Sequence, residues 1–385
     1  MITTLPERIA ALPAPARAAC ERLFFVARVR GRTAIPPEMD DWVRRRFGAP
    51  EAVREQTIVR TVNRLTLEAA LFNPLRALRP VGEAATDEQL EAWVAAELAG
   101  HDAFADPLRE TTADLFGRIM GRHSVSASNV AKYDGWHGLV VFGEPHPLRF
   151  GREQLADYLD VALRWVQAAH AHDPAAIYPM ITWNCLPKSG ATIVHGHMQV
   201  SLAHGMHYAR PELWRRAAEH YRAETGADYF ADLFAVHREL GLALRDEPGL
   251  RAFVHLTPLR NREIVFLATK VPTGPERGAG SATDAIEART LPPSVFSVDS
   301  VAETLAGPLY EVLRGLIDGH GVRAFNLGLA LPPLAPTAEN WAGVPAVARV
   351  ADRGAALTTR NDWGAMELYA SGSITADPFE VAQQL

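Results

Sequence analysis

Cysteine and lysine are nearly missing from this chain. Among its 385 residues only Cys20 and Cys185 carry a thiol. That excludes a disulfide framework and fits a reducing, cytoplasmic compartment. The lysines are Lys132, Lys188 and Lys270 alone, so arginine supplies almost all the positive charge. Long apolar runs are absent too, with nothing near the roughly eighteen residues that a membrane span needs. The opening residues, Met1-Ile2-Thr3-Thr4-Leu5-Pro6, lack a basic segment followed by an apolar core, so no signal peptide is expected. A strong charge of one sign is also lacking. A net charge of −6 argues against a broad nucleic-acid surface. What remains, 48% apolar residues and 27 prolines, describes a globular protein with many turns. The length allows two domains or one large sheet with insertions.

One stretch concentrates the chemistry. Asn184 to Gln199 reads N-C-L-P-K-S-G-A-T-I-V-H-G-H-M-Q. Its last seven residues, continued by Val200 and Leu202, alternate as a strand does. On a strand Ile193, His195, His197, Gln199 and Ser201 share one face, and Val194, Met198, Val200 and Leu202 the other. The second face is apolar and belongs on the core. The first carries two imidazoles and an amide about 6 to 7 Å apart. Upstream, Lys188, Ser189, Gly190 and Thr192 offer a cation, a flexible backbone and hydroxyls that can hold an anion. A lone His-x-His is also compatible with a solvated edge or two satisfied core residues.

Asn184, the Lys-Ser-Gly-Ala-Thr turn and Gln199 together make the stretch resemble the transferase branch of the histidine-triad superfamily. There glutamine replaces the third histidine, giving His-x-His-x-Gln. Galactose-1-phosphate uridylyltransferases are similar in the Asn, Gly-Ala and hydroxyl residue that precede the pair. Diadenosine tetraphosphate phosphorylases are similar in a Pro-x-Ser-Gly segment, here Pro187-Lys188-Ser189-Gly190. The resemblance implies that His197 is a nucleophile toward phosphorus, supported by His195 and Gln199. Asn184, Lys188, Ser189, Gly190 and Thr192 would surround the phosphates.

Other stretches add candidates. Residues 1–56 read as a helical extension and 57–68 as a strand. Asn73-Pro74 then displays Arg76 and Arg79, which suit either a phosphate or a solvated loop. Residues 81–120 are acidic and helical in pattern. Asn129 and Lys132 precede the apolar run Leu139–Phe142, and the resemblance implies base, ribose or phosphate contacts for them against plain turn roles. In zinc-containing relatives the histidine after this strand and the first of the pair ligate a metal with two cysteines. His146 and His195 would be those ligands here. The Cys-x-x-Cys partner is missing, so no metal and no cofactor is expected. Residues 153–169 place Leu155, Tyr158, Leu159, Ala162, Val166 and Ala169 at helical spacing, and Tyr178–Trp183 reads as a strand.

The later half repeats this order without the histidines. Glu263–Thr269 reads as a strand, 272–296 as a mobile loop, Ser300 to Ile317 as a capped helix, and Phe325–Leu331 and Val344–Val350 as strands. Val347-Ala348-Arg349-Val350-Ala351 stands where the first copy has His-x-His-x-Gln. By resemblance Arg360 and Glu367 bind an acceptor phosphate in a homodimer; a salt bridge to neighbouring charges is the alternative. The expected fold is α/β (α+β): duplicated histidine-triad-like half-barrel units with antiparallel sheet and flanking helices, a catalytic unit at 57–205 and a degenerate one at 206–385. The expected activity is nucleotidyl transfer between a nucleoside-diphosphate sugar and a sugar 1-phosphate. A dinucleoside polyphosphate phosphorylase is the alternative enzyme, and a silent nucleotide-binding protein the alternative of another class.

Overall fold

The computed structural model describes residues 1–78, 85–269, 299–358 and 365–385. In chain order its strands are β1 (Phe24–Arg32), β2 (Glu55–Asn63), β3 (Ala69–Phe72), β4 (Ser124–Ser128), β5 (Trp136–Phe142), β6 (Ala176–Cys185), β7 (His197–His204), β8 (Ala243–Glu247), β9 (Leu250–Val254), β10 (Ile264–Ala268), β11 (Phe325–Ala330), β12 (Ala346–Asp352) and β13 (Ser371–Ile374). The longer helices are α1 (Ala14–Leu23), α2 (Asp87–Leu98), α3 (Arg152–His172), α4 (Ala209–Thr225), α5 (Tyr229–Glu239) and α6 (Asp299–Arg314).

Two sheets result. A small one has the order β1-β2-β3-β13, and a nine-stranded one has the order β4-β5-β7-β6-β11-β12-β10-β9-β8. Adjacent strands in the large sheet run antiparallel. Its order shows the duplication. Reading outward from the central β6–β11 pair, one half runs β6, β7, β5, β4 and the other β11, β12, β10, β9, with the same chain order inside each half.

Each half lays a helix on the sheet. On α3 the residues at helical spacing, from Leu155 to Ala169, are buried as their periodicity predicts. They meet the apolar face of β7, where Met198, Val200 and Leu202 are fully buried. That face is fixed by alternation, so His197, Gln199 and Ser201 must lie on the other side of the sheet. In the second half that other side is covered by α4 and α5. Trp214, Tyr229, Phe230 and Leu233 close there over Phe253, Val265, Val347 and Arg349, leaving a small cleft between them.

The structure departs from the sequence expectations at several elements. Residues 1–56 contain β1 as well as helices, because its arginines lie on exposed positions of an edge strand and mask the alternation. The strand expected over 57–68 ends at Asn63, whose side chain caps a turn by accepting the Leu65 and Thr66 N–H groups at 3.0 and 3.1 Å. Within 81–120 the described helices are α2 and the short Pro107–Glu110 turn. The expected loop at 272–296 lies outside the described residues.

Candidate functional site

His197 opens β7, opposite Val141 of β5. Its Nδ1 lies 2.8 Å from the backbone oxygen of His195. A carbonyl can only accept, so Nδ1 carries the hydrogen and Nε2 keeps its lone pair. The ring is buried, and burial pushes its pKa below the ordinary imidazole value, against the opposing pull of the His195 carbonyl. At neutral pH His197 is therefore a neutral imidazole with one exposed electron pair, the form that can attack phosphorus.

Gln199 follows on the same face, paired with Leu139 of β5 and Thr182 of β6. Its Oε1 is 2.9 Å from Nε2 of His137, which sits diagonally across on β5. The peptide N–H of Tyr133 points at His137 Nδ1 from 3.3 Å. An amide N–H can only donate, so the imidazole hydrogen belongs on Nε2 and Gln199 must present its oxygen there. The Gln199 NH₂ group is thereby turned away from His137. Asn129 Nδ2 also lies 3.2 Å from His137 Nε2, but Asn129 Oδ1 is taken by the Ala131 N–H at 3.0 Å. That approach sets two donors together and is not a hydrogen bond. Burial lowers the His137 pKa, with the Gln199 bond opposing.

His195 precedes the strand that alternation alone would start at Ile193. The ladder begins at His197, and Gly196 is held instead by a Pro145 carbonyl at 2.9 Å and a Phe142 N–H at 3.0 Å. A Cβ on Gly196 would stand 2.5 Å from the Phe142 ring, so only glycine fits between the histidines. The His195 ring has Asp102 Oδ2 2.7 Å from Nδ1 and the Phe142 carbonyl 2.8 Å from Nε2. The two side chains of that pair are 5% and 7% exposed. Phe104, from the same segment as Asp102, meets His195 and His197 edge-on, with ring centroids 5.9 and 5.2 Å away.

Beside this strand the chain from Cys185 to Thr192 makes a tight turn. Leu186 takes φ +69° and ψ 161°, a backbone region nearly reserved for glycine, and its buried side chain holds it there. Gly190 closes the turn at φ +99°. Asn184 Oδ1 accepts from Asn326 Nδ2 at 2.7 Å, and the same amide reaches the Ser189 carbonyl at 2.8 Å. Arg353 donates to Asn326 Oδ1. The Ser189 hydroxyl gives its hydrogen to the Cys185 carbonyl at 2.7 Å, so as it stands it serves the turn and not an anion. Thr192 is exposed and Lys188 half-buried on the same turn.

The remaining candidates are dispersed. Lys132 adjoins His137, but its ammonium is bound by the Ser128 hydroxyl at 2.7 Å and the His137 carbonyl at 2.8 Å, with Asp114 at 3.8 Å. Arg76 lies in the turn after β3, on the other sheet, where Asn73 Oδ1 accepts the Leu75 N–H at 3.0 Å. Glu367 is paired with Arg260 at 2.9 Å, both side chains largely buried. Arg79 and Arg360 lie outside the described residues.

The side chains present do not fit a zinc ion. Both His195 nitrogens face oxygen acceptors, and His146 Nδ1 takes the Leu148 N–H at 3.2 Å while Nε2 faces Glu91 at 3.3 Å. Burial pushes the Cys20 thiol up to about 12 and raises that of Cys185 further, so neither is a ready thiolate. Among the described residues no three His, Cys, Asp or Glu side chains group as metal ligands.

Sequence reading missed Asp102, Phe104, His137 and Asn326. His137 could have been found, since it falls in phase with Leu139 and Val141 on the strand they mark. Asp102 gave no signal, being 93 residues from its partner.

No protein-family model matches the chain, and no curated protein matches it in sequence. Solved structures do. An ADP-glucose phosphorylase from Arabidopsis thaliana, with ADP-glucose bound, superposes with a TM-score of 0.58 at 14% identity, covering 84% of this chain and 96% of the other. A GalT-like protein from the same plant gives 0.55 at 14% identity, covering 74% and 91%. A uridylyltransferase gives 0.51 at 15% identity, covering 69% and 84%. These are histidine-triad-like folds, and the chain has that fold.

Proposed function

We propose that this chain, built on the fold of histidine-triad-like nucleotidyltransferases and phosphorylases, transfers a nucleotidyl group through a covalent intermediate on His197. The observation that carries the reading is the His197 tautomer. With Nδ1 bound to the His195 carbonyl, the lone pair on Nε2 is the ring's only nucleophile. Nε2 attacks the α-phosphorus of the donor, a P–N bond forms, and the P–O bond to the departing phosphate breaks. An oxygen of the acceptor phosphate then attacks the same phosphorus, and the P–N electron pair returns to Nε2. One site thus serves two substrates in turn.

Gln199 is the electrostatic partner in both steps. Its NH₂ group, turned outward by His137, donates to a non-bridging oxygen as charge shifts in the transition state. Lys188, Thr192 and the turn around Gly190, which follows the neighbouring strand β6, are assigned the supporting charge and hydrogen bonds. Asn129, Lys132 and Arg76 belong to the same reading as nucleotide contacts only if substrate draws them from their present partners. Arg360 and Glu367 remain its acceptor contacts, within a cytoplasmic homodimer.

The favoured donor is a nucleoside-diphosphate sugar, and the acceptor a sugar 1-phosphate. The plant neighbour named for ADP-glucose supports that donor class and makes inorganic phosphate the second acceptor to test. Incubation with UDP-, GDP- and ADP-sugars and diadenosine polyphosphates, each with a sugar 1-phosphate or phosphate, should give exchange with one nucleotide sugar. Turnover of diadenosine polyphosphates alone would move the reading to a dinucleotide phosphorylase. Binding without any turnover would leave a silent nucleotide-binding protein.

A further inference from the structure

We propose that Asp102 is a positioning residue for the nucleophile: its buried carboxylate holds His195 as an imidazolium, and that clamped ring fixes the carbonyl that orients His197 and closes the position to a metal.

The geometry is complete at each link. Asp102 Oδ1 accepts the Phe104 N–H at 3.0 Å and Oδ2 faces His195 Nδ1 at 2.7 Å, so both carboxylate oxygens are used. The opposite edge of the ring meets the Phe142 carbonyl at 2.8 Å, an acceptor that brings no hydrogen of its own. Both ring nitrogens thus meet oxygen acceptors, a carboxylate and a carbonyl, which calls for a hydrogen on each. With hydrogens on both nitrogens, each edge of the ring makes a charge-assisted bond. A neutral ring would leave one of these buried acceptors unsatisfied.

Phe142 cannot drift from its end of the clamp. Its ring stacks on Tyr158 at 3.7 Å, and its N–H holds the Gly196 carbonyl at 3.0 Å. His195 is thus gripped by a side chain and a strand, and its own carbonyl is presented to His197 Nδ1 at 2.8 Å. The same segment brings the buried ring of Phe104 edge-on against both imidazoles. A fixed positive charge beside His197 also disfavours its protonation, adding to the effect of burial. A zinc ion at His195 would have to displace either a buried carboxylate or a strand carbonyl.

The test has a spectroscopic arm that needs no turnover. Nitrogen-15 spectra of the histidines in the full chain at neutral pH should show both His195 nitrogens protonated, and only one in Asp102→Asn. An unprotonated His195 nitrogen in the wild type, or stoichiometric zinc bound through that ring, overturns the assignment. The kinetic arm rests on the His197 reading above. Formation of the nucleotidyl-enzyme should slow by about 10- to 100-fold in Asp102→Ala, and less in Asp102→Asn, which keeps an oxygen acceptor for Nδ1. An unchanged rate in either folded variant overturns the positioning role. A wild type that forms no nucleotidyl-enzyme would defeat the reading of His197, while the His195 spectrum would still decide the role of Asp102.

Discussion

Gln199 is useful only if its amide faces the right way, and a free glutamine has no preference between its two ends. The preference comes from His137, whose hydrogen is fixed in turn by the Tyr133 N–H. Replacing Gln199 with Leu should slow nucleotidyl-enzyme formation by on the order of 10²–10³. His137→Phe should slow it less, because the amide still points outward part of the time. The two changes should not add: the double variant should be no slower than Gln199→Leu, as expected for residues acting through one hydrogen bond. Rapid-quench measurement of the four rates checks this, and additive losses would return His137 to a packing role. At this scale the sequence was readable where alternation applied, as for His197 and Gln199 on one face of β7. It was silent on Asp102, because which carboxylate meets an imidazole depends on the path of the chain over a long separation.

The strand that carries His197 starts later than its pattern suggests. Gly196 is the reason, since the backbone there turns to meet Pro145 and Phe142 and lies too close to the Phe142 ring for any side chain. Gly196→Ala must push that ring off Tyr158 and move the carbonyl that binds His195. A loss of about 1–3 kcal/mol is expected for such overpacking, read as a lower urea midpoint, together with slower adduct formation. A midpoint within error of the wild type would mean that the strand yields at no cost. Helix α3 was legible to within a few residues because a long apolar stripe at helical spacing has no other stable use. The strand β1 was not, because an edge strand with arginines on exposed positions has the composition of a loop or a helix surface.

The large sheet pairs a half that carries the His197 and Gln199 row with a half that has no such row on its corresponding strand, β12. On the face of β12 where imidazoles would stand, the largely covered Arg349 lies between the buried carboxylates of Glu68 and Glu263. Burial alone would raise the Glu68 pKa, but Arg349, then His255 and Arg210, outweigh it and hold the carboxylate ionised. Arg349→Met removes the side-chain partner of buried Glu263 and the largest stabilising charge on buried Glu68, and should cost roughly 3–5 kcal/mol of stability while leaving the adduct rate of the folded fraction unchanged. Denaturant titration beside single-turnover kinetics would show whether both change. The duplication was visible in the sequence as a repeated order of elements, whereas the ion-pair cluster joins residues from distant segments and was not. Two core histidines set the acid limit. Burial lowers His207 to about 4 and His237 to about 3, against roughly 6.5 in an unfolded chain. Both are neutral in either state above about pH 6.5, where their stabilising effect is intact; below it the unfolded chain takes up protons that the folded one refuses. Stability should fall by on the order of 1.4 kcal/mol per pH unit for each histidine as pH drops toward those values. Urea midpoints between neutral and mildly acid pH test the slope, and a flat profile would contradict the burial of these rings. The most direct test of the catalytic reading is the intact mass of the chain after incubation with a nucleotide-sugar donor and no acceptor. The mass should rise by one nucleotidyl group (a nucleoside monophosphate less water), and the adduct should be acid-labile, map to His197 and be absent from His197→Ala. Turnover without any added mass, or a label on another residue, would contradict it.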